Sequence, residues 1–405
     1  MDVISVSISI RFNLNKIFGM KKWLLHFGII LTVVLAVYNM WAITDRAREH
    51  KTGWTQTPEY KTRFEYIETG IDSGKGNLIG IQPFLTASNY STAFNFETTL
   101  RFYFEQLKRE NKLTEKTVVV LPEYIGTWLV AANEKEKIYQ QTNINDAMTT
   151  IVTSNIFKFL FSYFLSPAKD KTKYAIFHMK ARQMAKQYQQ IFSSLAKDYN
   201  CTIVAGSIVL PNASVNKAGN LEIKTGAEIY NTSVVFGNDG KIILPLVKKI
   251  FPIDSEQGFT QCGKAEQQPI FQTKAGRMAV LICADSWYPE AYATIANKVD
   301  FIVVPSLAET DSIWLAPWKG YNGFKAPADV DTTDYKKITE GDAWVKYSMG
   351  KRAVQSNIHD GINVFFTGTM WDMKPEGRVL ILNHDSLIVL PAAIGKGRIV
   401  KLWMK

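Results

Sequence analysis

The sequence predicts an α/β protein built as two β-sheets flanked by helices, carried behind one apolar N-terminal helix. Three observations point to it. Short β-branched runs such as TVVVLP, CTIVAGSIVL and FIVVPS alternate with segments of helical periodicity. So many strand and helix pairs are best buried as two sheets with helices outside them. Trp23 to Trp41, WLLHFGIILTVVLAVYNMW, is long enough to span a hydrocarbon core.

The N-terminal stretch carries no Asp, Glu, Lys or Arg between its two terminal tryptophans, and aromatic ends suit a membrane interface. Lys21 and Lys22 precede it, and MKKWLL from Met20 looks like the start of an export signal, which leaves residues 1–19 as an N-terminal extension. Cleavage would need small residues after the apolar run, whereas Tyr38-Asn39-Met40-Trp41 is bulky, so an uncleaved anchor over residues 20–44 is expected. Basic residues are nearly balanced across it, with Arg11, Lys16, Lys21 and Lys22 before and Arg46, Arg48 and Lys51 after. The reading favours the amino end inside and a single-pass membrane protein with its domain extracytoplasmic, periplasmic or extracellular. Residues 45–72, polar and interrupted by Gly53 and Pro58, read as a tether, and residues 73–405 as the folded domain.

That domain opens with a strand, GNLIGIQ, and a helix from Phe94, FNFETTLRFYFEQLKREN, followed by the strand TVVVLP. A long stretch from Asn133 to Lys173 contains the aromatic run IFKFLFSYFL, which reads as an extra amphipathic helix or as a lid that touches a bilayer. A helix from Ala181, ARQMAKQYQQIFSSLAKDYN, precedes the strands CTIVAGSIVL and EIYNTSVVFG, the latter ending in the turn NDGK. MAVLICADSWYPEAYATIANKV reads as a strand turning into a helix. FIVVPS, a helix over WVKYSMGKRAVQSNIHDG, and the strands INVFFTGT, VLILN and SLIVL complete the domain.

Composition excludes several classes. The net charge of +10 would suit an anionic partner, but the Lys and Arg residues are scattered without a dense basic run among aromatics, so no nucleic acid is expected. Cys201, Cys262 and Cys283 are too few for a disulfide scaffold and lack the paired spacing of a zinc site. Cys201 opens an apolar run and reads as a buried small hydrophobe; in an exported domain a bridge from it to Cys262 stays open. The five histidines form no ligand-like cluster, so no metal or other cofactor is expected. His384-Asp385-Ser386 has the residue types of a hydrolase triad, but neighbours in a strand face opposite ways.

Three islands carry chemistry. In VVVLPEY, Glu123 follows an apolar strand, where a carboxylate needs a partner or a task, and a general base is such a task. In LVKKIFP, Lys248 could hold a tetrahedral anion; Lys249 is its rival, since alternation lets only one face a pocket. In VLICADSWYPE, Cys283 ends a strand before an expected helix, whose free N–H groups would favour a thiolate, with that of Ala284 receiving an oxyanion. An acid, an ammonium and a thiol in one pocket can attack a carbon bonded to nitrogen and expel the amine.

These motifs resemble the nitrilase superfamily of carbon–nitrogen hydrolases, which includes amidases and apolipoprotein N-acyltransferases. Pro122-Glu123, Lys248 to Pro252 and Cys283 to Glu290 match its three signatures, and YNTSVVFGNDGK, VVPS, KRAVQSN and HDSLIVLP fall in family order. Glu256, eight residues after Lys248, stands where many members carry a second glutamate, and that spacing selects Lys248. The resemblance implies an αββα sandwich, pairing into homodimers, and an amidase-type hydrolase with a Glu123-Lys248-Cys283 triad, Glu256 in support, and an acyl-thioester intermediate. Ala284, Trp287, Tyr124 and Trp314 are assigned to binding a small or lipid-like amide. An N-acyltransferase using the same nucleophile and a catalytically silent binding module are the alternatives.

Overall fold

The computed structural model describes residues 2–48 and 63–405; Gly53, Pro58 and Lys51 of the expected tether lie outside them. Helix α1, Asp2–Ile43, runs unbroken through the expected extension and the apolar span. Its segment Met20–Ile43, 24 residues with mean hydropathy 1.8, is unburied and is the one helix among the described residues long and apolar enough to cross a membrane.

The domain is an αββα sandwich. Its larger sheet runs, in spatial order, Phe64–Thr69, Gly397–Trp403, Asn77–Gln82, Thr117–Val120, Thr202–Val204, Ile229–Phe236 and Ile242–Lys248, with Ile208–Pro211 also paired on Ile229–Phe236. The smaller sheet runs Phe271–Thr273, Gly276–Val280, Phe301–Ser306, Asp360–Phe365, Leu380–Asn383 and Ser386–Val389. The sequence runs do not mark every strand, and two of the unmarked ones pair with each other. Phe64–Thr69 lies inside the expected tether and pairs in parallel with Gly397–Trp403, a strand beyond SLIVL, so the fold begins before residue 73.

The first half of the domain supplies four helices: α2 (Ala93–Arg109), α3 (Ile144–Ser154), α4 (Ile156–Leu165) and α5 (Lys171–Asp198). Strand alternation sorts the core into layers. Ile79, Ile81, Val119, Leu121 and Ile203 meet Phe96, Leu100 and Phe104 of α2 and Met184, Tyr188 and Phe192 of α5. Their neighbours Leu78, Val118, Val120 and Val204 face the other sheet, joining Ile362, Val364 and Val303. Gly80 belongs to that inner face: a Cβ there would sit 2.8 Å from Ile362 and from Val364, so the missing side chain sets how closely the sheets approach.

The short helix α6 (Asp254–Gln257) follows the larger sheet's last strand, and α7 (Glu340–Tyr347) and α8 (Met349–Gln355) pack by the smaller sheet. The helix expected after Cys283 is instead two short 3-10 turns, Cys283–Trp287 and Pro289–Ala291. Pro289 has no N–H to give, and it holds Tyr288 extended, so an α-helix cannot pass this point.

Candidate active site

The functional side chains leave the ends of strands from both sheets. Glu123 follows Thr117–Val120 and is succeeded by Tyr124 at φ +61°. Ser207 fixes that turn, its Oγ accepting from Tyr124 N at 2.9 Å. Gly206 makes room for it: at φ +61°, any Cβ there would collide with the Pro122 carbonyl oxygen. Cys283 follows Gly276–Val280 and turns at φ +49°, a conformation that costs a non-glycine residue on the order of 1–3 kcal/mol and is typical of functional sites.

Lys249, not Lys248, completes the set. Its Nζ donates to Glu123 Oε1 at 2.8 Å and to Glu256 Oε2 at 2.6 Å. Asn231 Nδ2 binds the same two carboxylates, at 2.9 Å and 3.2 Å. Tyr124 Oη donates to Glu256, and Ile253 N donates to Glu256 Oε2 at 2.9 Å. The Cys283 thiol donates to Leu307 O at 3.9 Å, and the Glu123 carboxylate acts on it electrostatically. All five, Glu123, Asn231, Lys249, Glu256 and Cys283, are buried.

Lys248 points elsewhere for a reason of register. It pairs with Thr232, on the opposite face from Asn231, whereas Lys249 N donates to Asn231 O at 2.9 Å and shares the face of Val247 in the core between the sheets. Lys248 Nζ instead donates to Asn212 Oδ1 at 2.8 Å and lies 3.9 Å from the Tyr230 ring centroid. The spacing from the working lysine to Glu256 is therefore seven residues, not eight. Of the residues assigned to substrate, Ala284 and Trp287 line the cavity beside Cys283, while Tyr124 supports Glu256. Trp314 is buried behind the wall against Trp344 and Phe365.

The charges are arranged for proton transfer. Burial pushes the Glu123 carboxyl up to about 6, against the pull of Lys249 and with the push of Glu256. Burial alone would lower Lys249, but Glu123 and Glu256 hold its ammonium well above the usual lysine range. The Cys283 thiol is pushed up by burial and by Glu123, with Lys249 opposing. Burial and Glu123 therefore favour the protonated thiol, beside an ionisable base. This replaces the expectation of a thiolate favoured by a helix terminus, since no α-helix begins there. Moving the proton from Sγ to Glu123 leaves the net charge of the buried site unchanged.

Two further positions were not read from the sequence. Asn231 falls in the segment YNTSVVFGNDGK, where its residue type alone gives no sign of a role beside the carboxylates. Asp285, inside the cysteine motif, accepts from Ile250 N at 2.9 Å, Phe251 N at 2.8 Å and Ile282 N at 3.1 Å, so it ties the lysine loop to the cysteine turn. Burial raises its carboxyl to about 7 against those donors. A cavity of about 250 Å³ opens over Cys283 and Ala284, with walls of Trp287, Trp318, Tyr321 and Trp344 and the carboxyl of Glu340.

Comparison with known proteins fits this constellation. The family model for carbon-nitrogen hydrolases matches residues 103–320, just over half of the chain. The omega-amidase NIT3 of Saccharomyces cerevisiae is 31% identical over 128 residues, 30% of this chain and 40% of that protein. The probable hydrolase YhcX of Bacillus subtilis is 27% identical over 116 residues, 29% of this chain and 20% of that protein. The chain thus matches less than half the length of either relative. Among solved structures, a mutant of the Nesterenkonia AN1 amidase from the nitrilase superfamily aligns over 83% of this chain and 94% of its own, at 11% identity and a TM-score of 0.48. With its glutamate, lysine and cysteine meeting inside the matched region, the chain belongs to the carbon-nitrogen hydrolase family.

Proposed function

We propose that the protein is a membrane-anchored amidase that cleaves a carbon–nitrogen bond through an acyl-thioester on Cys283. Glu123 takes the proton of the Cys283 thiol as the sulfur adds to the amide carbonyl carbon, and the carbonyl π electrons move to oxygen. The Lys249 ammonium and the Ala284 backbone N–H stabilise that oxyanion. Glu123 then protonates the nitrogen, the C–N bond breaks, and the amine leaves. Water, deprotonated by Glu123, attacks the thioester, the C–S bond breaks as Glu123 returns that proton to sulfur, and the acid departs. Glu256, Asn231 and Tyr124 hold Lys249 and Glu123 in register. The aromatic walls suit an amide with an apolar or aromatic acyl group.

One observation carries this reading: the buried Lys249 ammonium bridges two carboxylates, one of which, Glu123, acts electrostatically on the Cys283 thiol at the cavity. Anchoring rests on the unburied Met20–Ile43 helix, and charge flanking favours the domain outside the cytoplasm. Incubating the full chain in detergent with a panel of amides should release amine, and acid quenching of the native chain should trap an acyl mass on Cys283 that Cys283→Ala lacks. Absence of both product release and an adduct across amides, esters and nitriles would overturn the proposal. Adding amine acceptors to the same assay separates hydrolysis from acyl transfer by product mass.

A further inference from the structure

Helix α4 is apolar at most of its positions, and its more apolar side faces outward. Phe157, Leu160, Phe161, Phe164 and Leu165, at positions i, i+3, i+4, i+7 and i+8, are all exposed, Phe164 at 78%. The side turned to the domain is the one bearing polar Ser162, whose Oγ lies 2.8 Å from His178 Nδ1 of α5. A helix of this composition normally has cover on every side, and here one side has none among the described residues.

We propose that this outward face is a second membrane contact, lying in the bilayer interface beside α1 and holding the domain against lipid. The inference rests on the reading of α1 as a bilayer anchor. Ten residues of helix extend about 15 Å, half of a hydrocarbon core, so α4 can lie in the interface but cannot cross it. Its exposed face is continuous with the anchor. Tyr38 Oη of α1 donates to Thr153 O at 3.0 Å and accepts from Ile156 N at 3.1 Å, and its ring meets Phe157 edge-on at 5.3 Å. Tyr38 and Trp41 sit within the last turns of α1, the level at which aromatic side chains collect at a bilayer surface. Exposed Lys158, Lys169 and Lys171 place ammonium groups on and just after α4, where they suit anionic headgroups.

The docking is built rigidly. Just past α1, Arg46 donates to Ser154 O at 3.0 Å and pairs with buried Glu134, which also takes Lys180 Nζ at 2.6 Å. Beyond α4, Asp170 N donates to Gly258 O at 2.8 Å and Lys173 Nζ to Ser255 O at 3.3 Å. The segment leaving the proposed contact therefore packs on the turn that carries Glu256.

The test uses the full chain in phospholipid nanodiscs, with Cys262→Ser and Cys283→Ala removing competing thiols. Nitroxide labels are placed through Val34→Cys, Phe161→Cys, Phe164→Cys and, as a water reference, Ile394→Cys. Collision with oxygen should exceed collision with a polar nickel chelate several-fold at 34, 161 and 164, with the reverse at 394. Labels at 161 and 164 that behave like 394 while 34 stays in lipid would overturn the inference and leave the anchor standing. A water-exposed label at 34 would overturn the anchor and the inference together. Spin–spin broadening at 161 and 164, with little access for either reagent, would show a second copy of the chain on this face and overturn the lipid contact.

Discussion

Replacing Lys249 by methionine keeps the volume and removes one charge from a buried set of three. At 2.8 Å and 2.6 Å, with an effective dielectric of about 20, each carboxylate attracts the ammonium by roughly 6 kcal/mol. Desolvating three charges takes back most of that, so the net value of the cluster is small, but breaking it strands Glu123 and Glu256 together. Removing one partner of a buried pair costs about 3–5 kcal/mol. Loss of an oxyanion donor should add a fall in kcat of about 10²–10³-fold. Lys248→Met instead removes one exposed-side hydrogen bond and a cation–π contact worth about 0.5–1 kcal/mol, with no effect on chemistry. The assay is amide hydrolysis by both variants, with folding checked by near-ultraviolet circular dichroism. If folded Lys248→Met lost as much kcat as Lys249→Met, the reasoning from register would be wrong.

Other outcomes follow from the same site. Glu123 must be ionised to accept the thiol proton, and its carboxyl is raised to about 6, so kcat/KM should fall as pH drops through that value; a flat profile from pH 8 to 5 would count against it as base. Asp285→Asn replaces one acceptor facing Ile282 N by a donor, which should cost about 1–3 kcal/mol and lower kcat more than it raises KM, read by Tm and kinetics. Iodoacetamide should modify Cys283 in the native chain and fail to do so in Glu123→Gln, while exposed Cys262 reacts equally in both; equal labelling of Cys283 would remove the base from the mechanism. Gly80→Ala should push on Ile362 and Val364 and reduce activity, with Val364→Ala restoring part of it; no recovery would mean that sheet spacing does not govern the site.

The sandwich was legible because most of its strands are dense in β-branched residues and its main helices keep a clean period. The paired strands Phe64–Thr69 and Gly397–Trp403, not marked in the sequence, break that pattern. FEYIET is a half-buried edge strand laced with acids, and GRIVKLW carries Arg398 and Lys401, both buried. Those cations are tolerated inside because Arg398 pairs with Glu65 and Lys401 donates to Lys112 O at 3.2 Å, partners remote in sequence. The choice between Lys248 and Lys249 failed for a related reason. Leu246 packs toward the helices and Val247 toward the other sheet, so apolar residues on both faces hide the alternation, and pairing with the neighbouring strand is irregular between Ile243 and Val247. The eight-residue spacing to Glu256 then selected the wrong neighbour.

Glu123, Cys283 and the need for a lysine beside them could be read one island at a time, whereas their meeting depends on two sheets. Glu123 and Lys249 leave the larger sheet and Cys283 the smaller, so the distance from sulfur to base is set by the packing of Leu78, Val118 and Val120 against Ile362 and Val364. Hydrophobic packing alone is non-directional and would fix that spacing loosely. Asp285 supplies the direction: from the cysteine turn it takes two backbone N–H groups of the loop immediately after Lys249. A buried carboxylate satisfied by three backbone donors cannot shift without leaving one of them unpaired, which gives this crossing a stiffness that side-chain packing lacks. On this account the aspartate of the cysteine motif acts on geometry, by keeping the lysine loop and the nucleophile turn at one separation for the proposed passage of a proton from sulfur through Glu123 to nitrogen.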